Sequence, residues 1–277
     1  MQIDAHQHFW NPARGDYGWM AKDDPVLSQT YMPLDLAPEI ATAGVEATVL
    51  VQAAASVAET EYMLGIADAT PFVAGVVGWI DFEDPSQAAV LKRLSHHPKF
   101  KGLRPMIQDI ADDNWMLRDD VQWAFRAAAD LGIGFDALGF PRHLKNFLTV
   151  LQRYPDLRMV IDHAMKPSIR THSEPAFTHW ADGMARLAEA GAFCKLSGLI
   201  TEAAPGWTVA DLAPYAAHVL EAFGPDRVMW GSDWPVCRLR GEYGAWRDAA
   251  LTLTEGLPVV ECAMVFGGTA AAFYRLG

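Results

Sequence analysis

The sequence predicts one α/β domain, a single (β/α)8 TIM-type barrel spanning residues 1–277, on three observations. Eight short apolar runs recur at intervals of about 25–44 residues, each followed by polar or Gly/Pro punctuation and then by a stretch of helical spacing. The length of 277 residues matches the roughly 250 of such a barrel, and no linker, charge block or low-complexity tract divides it. A doubly wound open sheet, the competing architecture, would carry a glycine-rich turn after its first strand; here that turn reads His6-Gln7-His8-Phe9-Trp10.

Taken in order, the expected strands lie near residues 2–6, 46–52, 72–80, 100–107, 133–138, 158–163, 192–197 and 227–232. Val49-Leu50-Val51, Val73 to Val77 and Met159-Val160-Ile161 read as strands buried on both faces, as in a parallel sheet. Helical spacing covers residues 58–68, 121–131, 177–190 and 212–223, among others. Gly44, Gly132, Gly191 and Gly224 each follow a helical stretch, where a left-handed cap is expected. The long segment 9–33, with Gly15, Gly18 and three prolines, is expected to form a lid over the active site.

Composition narrows the function classes. Hydrophobic residues at 51% and charged residues at 20% belong to a chain with a packed core. A net charge of −12 argues against tracking along phosphates, so no nucleic-acid partner is expected. The longest nearly uncharged apolar run, Pro71 to Ile80, is too short to span a bilayer, so no membrane partner is expected either. Met1-Gln2-Ile3-Asp4 has neither the basic region nor the apolar stretch of a signal peptide. The three cysteines, Cys194, Cys237 and Cys262, form no CxxC pair and read as reduced thiols. A cytoplasmic location is the expectation.

Active sites of such barrels form where strands end. That singles out His6, His8, Gln52, Trp79, Asp81, Arg104, Asp136, His163, Ser197 and Asp233. Two residues apart on a strand, His6 and His8 share a face; they either converge on one cation or bond separately to backbone carbonyls. His163 ends the apolar strand that begins at Arg158, with Lys166 three residues further on, while Asp162 should turn to a neighbouring strand. Asp233 follows Gly231-Ser232, where a carboxylate serves as general base or caps a turn; the following Trp234-Pro235 suits no helix start and favours the base. Arg104 and Lys166 are each either a substrate clamp or the partner of a structural carboxylate. Trp10, Trp79 and Trp234, with Trp19 and Trp207, stand in or beside strand-end loops, where flat apolar faces suit a sugar ring. His96, His97 and His218 read as structural.

The set Asp4-Ala5-His6-Gln7-His8, Lys101-Gly102-Leu103-Arg104, Ile161-Asp162-His163 and Gly231-Ser232-Asp233-Trp234-Pro235 resembles the amidohydrolase superfamily. It looks most like the sugar-lactone and pyrone-dicarboxylate lactonase branch, and the resemblance runs from Ile3 to the final helix. It implies a hydrolase in which Asp233 activates water and His163 ligates a metal or polarises the substrate carbonyl; from their strand-end positions, Arg104 is expected to join the catalytic set and Trp10, Trp79, Lys166 and Trp234 to line the substrate. The bridging lysine or glutamate of the binuclear members is absent, since the fourth strand ends in Arg104. The resemblance therefore implies at most one divalent metal, zinc, on His6, His8, Asp233 and His163, in a branch that includes members working without metal. The expected substrate is a neutral aldonolactone of a hexose or deoxyhexose such as fucose, galactose or rhamnose, because a dicarboxylate would demand more arginines. A metal-dependent decarboxylase of the same superfamily and a non-catalytic sugar-binding barrel are the rival readings.

Overall fold

The computed structural model describes all 277 residues. Eight parallel strands follow one another around the sheet in chain order. They are β1 (Ile3–Gln7), β2 (Ala47–Val51), β3 (Val73–Gly78), β4 (Phe100–Leu103), β5 (Gly134–Ala137), β6 (Arg158–Ile161), β7 (Phe193–Leu196) and β8 (Val228–Trp230). The barrel closes just beyond β8, where the Asp233 amide donates to the His6 carbonyl at 2.8 Å and the His8 amide to that of Trp234 at 2.7 Å. Each expected strand is present; seven end one to four residues earlier than expected, where the chain turns into a loop, and β1 runs one residue further, to Gln7.

The outer layer comprises α1 (Pro33–Ala43), α2 (Val57–Ala69), α3 (Ala88–Ser95), α4 (Gln122–Leu131), α5 (Leu144–Arg153), α6 (Glu174–Glu189), the short α7 (Leu199–Glu202), α8 (Val209–Phe223) and α9 (Tyr243–Leu253). Then α10 (Val259–Ala263) and α11 (Thr269–Tyr274) follow. Gly44 and Gly132 end α1 and α4 in the left-handed conformation, as their positions predict. Gly224 differs: its φ is 75° but its ψ is 155°, because the chain leaves α8 extended toward β8.

Two buried layers fill the space. A large cluster lies between strands and helices, with Leu50, Phe125, Phe135, Phe147, Trp180, Trp230 and Trp246 among its members. A smaller one closes the barrel interior at the end away from the strand C-termini. There Ile3, Ala5, Val49, Val77, Val160 and Met229 pack on Phe273 and Tyr274 of α11, which acts as a plug. No helix is long and apolar enough to cross a membrane.

One irregularity in β1 matters for the site. Its register against β2 shifts between Asp4 and Gln7, so strict alternation breaks within the strand. Ile3 and Ala5 face the apolar plug, while Asp4 turns outward to the Ser232 amide and the Tyr243 hydroxyl. After the shift His6 and His8 point inward and Gln7 turns outward to Thr48.

Candidate active site

His6 and His8 meet at the mouth of the barrel with their Nε2 atoms 3.2 Å apart. The His8 Nδ1 lies 2.8 Å from the Val51 carbonyl; that oxygen only accepts, so Nδ1 carries the proton and Nε2 keeps a lone pair when the ring is neutral. Asp233 Oδ1 lies 3.3 Å from His8 Nε2, and 3.8 Å from the Nε2 atoms of both His6 and His163. All four side chains are buried.

Local backbone chemistry puts them there. Gly231 must be glycine, since a Cβ would stand 2.7 Å from the His6 Cβ. Asp233 sits at φ 56°, a left-handed position tolerated by Asp more than by most residues. The helical turn after it begins at Val236, and the Asp233 side chain does not cap it. From His163 through Lys166 four successive non-glycine residues have φ between 48° and 60°. Such a left-handed turn costs roughly 1–2 kcal/mol per residue, and it aims both His163 and Lys166 into the same cavity. Ser197 Oγ meets His163 Nδ1 at 2.9 Å, and a Cβ on Gly198 would collide with that ring at 2.6 Å.

Beneath the histidines lies a charged layer. Lys195, fully buried in the middle of β7, has its ammonium 2.5 Å from Asp136 Oδ2, 3.1 Å from Asp162 Oδ1 and 3.0 Å from His6 Nδ1. Arg104 NH1 stands 3.4 Å from both Asp162 Oδ2 and His6 Nε2, while its NH2 donates to the Gln52 carbonyl. Arg104 is thus both lining of the cavity and partner of a structural carboxylate. Asp162 pairs with a neighbouring strand, as its position predicted.

Electrostatics assign the resting charges. Burial lowers the basicity of all three imidazoles; His163 comes down to about 4, and Lys195 adds to the effect on His6. Burial would raise the Asp233 carboxyl, but the His163, His8 and His6 rings outweigh it and hold it well below the usual range. Asp162 behaves likewise under Lys195, His6 and Arg104. Asp136 has fewer cations near it and burial pushes it up to about 6. Near neutral pH the mouth therefore holds an ionised carboxylate among three neutral imidazoles.

Above these groups is a cavity of about 230 Å³. That is smaller than the ~300–1,000 Å³ of drug-sized sites and suits one small ring. Trp10, Trp19, Met106, Leu138 and Val236 supply apolar wall; Gln108, Asp109 and Lys166 supply a polar rim, with Lys166 Nζ 2.6 Å from Gln108 Oε1. Segment 9–33 contributes Trp10 and Trp19, and the Trp19 indole donates to the Ala53 carbonyl across the mouth at 2.6 Å.

Two residues expected in the pocket lie elsewhere. Trp79 follows the end of β3 with its backbone N–H and C=O tied to Thr60 Oγ1, and its ring lines a separate cavity with Phe82 and Trp115. Trp234 packs edge-on against Phe9 and Tyr31 behind the site, because the left-handed Asp233 turns the next residue away. His96, His97 and His218 bond to Lys92, Asp68 and Ala181, consistent with structural roles. Lys195 was not singled out from the sequence. Its signal was a lysine inside the apolar strand Phe193-Cys194-Lys195-Leu196, two residues before Ser197 and so on the same face.

The donor set fits one divalent cation. A tetrahedral zinc shell with bonds of about 2.0–2.1 Å has edges of about 3.3 Å, close to the 3.2, 3.3 and 3.8 Å separating His6 Nε2, His8 Nε2 and Asp233 Oδ1. The Val51 carbonyl behind His8 is the kind of outer partner that orients a ligating imidazole. His6 fits only with its proton on Nδ1, facing Asp162 Oδ1 at 3.4 Å.

A family model described as amidohydrolase matches residues 3–276. The chain is 42% identical to an L-fucono-1,5-lactonase of Burkholderia ambifaria, over 99% of this chain and 96% of that protein. It is 35% identical to an L-fucono-1,5-lactonase of Burkholderia multivorans, over 100% and 96%. Crystal structures of an amidohydrolase from Burkholderia multivorans, one with bound HEPES and one with bound zinc, superpose with TM-scores of 0.93 and 0.91 at 34% identity, covering both chains in full.

Proposed function

The chain belongs to the amidohydrolase family, and from that premise we propose that it hydrolyses a sugar-derived lactone to the aldonic acid, with L-fucono-1,5-lactone as the leading substrate. The observation that carries this reading is the Asp233 carboxylate within 3.3–3.8 Å of three imidazoles, beside an arginine, at the base of a cavity sized for one ring. The full-length likeness to two fuconolactonases supports the substrate.

The lactone lies between the Trp10 and Trp19 walls with its carbonyl toward Arg104, His6 and His163. Asp233 removes a proton from water as the water oxygen bonds to the carbonyl carbon. The resulting tetrahedral oxyanion takes hydrogen bonds from these donors, and each fixed donor is worth about 3–4 kcal/mol in comparable sites. On collapse the bond from that carbon to the ring oxygen breaks, and protonated Asp233 returns its proton to the departing oxygen. A divalent ion held by His6, His8 and Asp233 would supply Lewis-acid polarisation of the carbonyl. Lys166 and Gln108 face the hydroxyls of the sugar. Only Arg104 and Lys166 bring positive charge to the cavity, against Asp233 and Asp109, and this balance suits a neutral lactone rather than a dicarboxylate.

The test is acid release in weak buffer from a panel of sugar 1,4- and 1,5-lactones, before and after chelation. Rapid hydrolysis of fucono-1,5-lactone is expected. Silence across the panel, with carbon dioxide released from an aromatic acid, would replace the lactonase by a decarboxylase.

A further inference from the structure

Lys195 touches neither the cavity nor any group that meets substrate except His6, yet its placement constrains the chemistry of that ring. An ammonium has three donors and no acceptor. A contact of 3.0 Å between Lys195 Nζ and His6 Nδ1 is therefore a hydrogen bond into a lone pair, and a neutral His6 must carry its proton on Nε2. The closest contact on the other side of the ring agrees. His6 Nε2 faces His8 Nε2 at 3.2 Å and Asp233 Oδ1 at 3.8 Å. His8 has its proton on the Val51 carbonyl, so the nearest neighbour of His6 Nε2 is an acceptor, while the Arg104 NH1 donor stands farther off at 3.4 Å.

We propose that Lys195 is a positioning residue that fixes His6 as the Nε2–H tautomer, so that His6 presents a hydrogen-bond donor to Asp233 and the lactone carbonyl and resists metal. Ligation through Nε2 requires the opposite tautomer, with the proton moved to Nδ1 beside Asp162 Oδ1. Asp136 and Asp162 hold the ammonium in place from two strands, and the Tyr274 hydroxyl donates to Asp136 at 2.8 Å. The plug helix thereby anchors the selector. A buried lysine with two carboxylates is an expensive way to fill a barrel, and nearby interior positions are filled by valine and methionine.

The role in hydrolysis rests on the lactonase reading; the tautomer and the metal effect do not. The first measurement is the two-bond 1H–15N spectrum of the chelated, 15N-histidine-labelled wild-type protein, with His6 assigned by comparison with His6→Gln. A protonated Nε2 and bare Nδ1 on His6, and the reverse on His8, are expected. A protonated Nδ1 on His6 overturns the proposal, and this arm needs no Lys195 variant to fold. The second is Lys195→Met, read by competition with a zinc-binding dye. Zinc affinity should rise about tenfold, the scale of outer-shell effects on ligating histidines. Unchanged or weaker zinc binding by a folded variant also overturns it. With fucono-1,5-lactone, kcat of the metal-free variant should fall at least about tenfold while KM changes less than about threefold. Wild-type kcat overturns the hydrolytic role. Absence of turnover by the wild type itself would count against the lactonase reading and leave the first two arms to decide the proposal.

Discussion

The two ends of the barrel interior are built on opposite principles. At one end Ile3, Ala5, Val49, Val77, Val160 and Met229 close on Phe273 and Tyr274, an apolar plug. At the other, His6, Arg104, Asp136, Asp162 and Lys195 are equally buried and entirely polar. Single strands serve both ends: Val160 and Asp162 lie two residues apart at the end of β6, as do Phe193 and Lys195 on β7. Apolar burial stabilises at about 25 cal/mol per Å², whereas buried ion pairs roughly break even against their desolvation. The polar end is therefore explained by chemistry, and the plug by stability.

The sharpest way to break that division is Asp233→Asn. Loss of the base should lower turnover about 10²–10⁴-fold, with an unfolding midpoint close to wild type; a variant hydrolysing lactone at the wild-type rate would remove Asp233 from the mechanism. Phe273→Ala should do the reverse. Truncating a buried phenylalanine costs about 3–5 kcal/mol, read by urea unfolding, while kcat per folded molecule stays within about twofold. A smaller effect is pH-dependent. His163 falls from 6.5 to about 4 in the folded state, so the unfolded chain binds the extra proton first as pH drops. Its contribution is whole above pH 6.5 and lost on the way down to 4, about 3 kcal/mol in all. Asp4 and Glu59, raised by burial to about 6 and about 7, act in the opposite sense. The reading is thus the difference between wild type and His163→Gln, which should narrow between pH 7 and 4. Smallest is a pair of tryptophans. Trp19→Ala should raise KM about fivefold, roughly 1 kcal/mol of lost ring contact, and Trp79→Ala should leave KM unchanged. Equal effects on KM would put Trp79 back beside the substrate.

Much of this was legible beforehand because it depends on local chemistry. Apolar runs of four to eight residues between glycine caps define strands and their order. Barrel geometry then names the residues at their ends: His8, Arg104, His163, Lys166 and Asp233 line one cavity, and His6 lies buried against them. Trp79 and Trp234 were misplaced, since direction after the strand ends is set by loop backbone, by the Thr60 hydroxyl in one case and by a left-handed Asp233 in the other.

The sequence by itself determined the barrel, the inventory of its mouth and the shared face of His6 and His8, because periodicity and spacing are properties of the chain. Only the tertiary structure decided that this face points inward. Regular alternation from Ile3 and Ala5 would have sent both histidines out to the helix layer, and a one-residue register shift against β2 reverses them. It likewise decided that Lys195 meets His6, 189 residues away in sequence. Such a contact depends on how eight strands stagger around a closed barrel, and no local pattern in the chain encodes it.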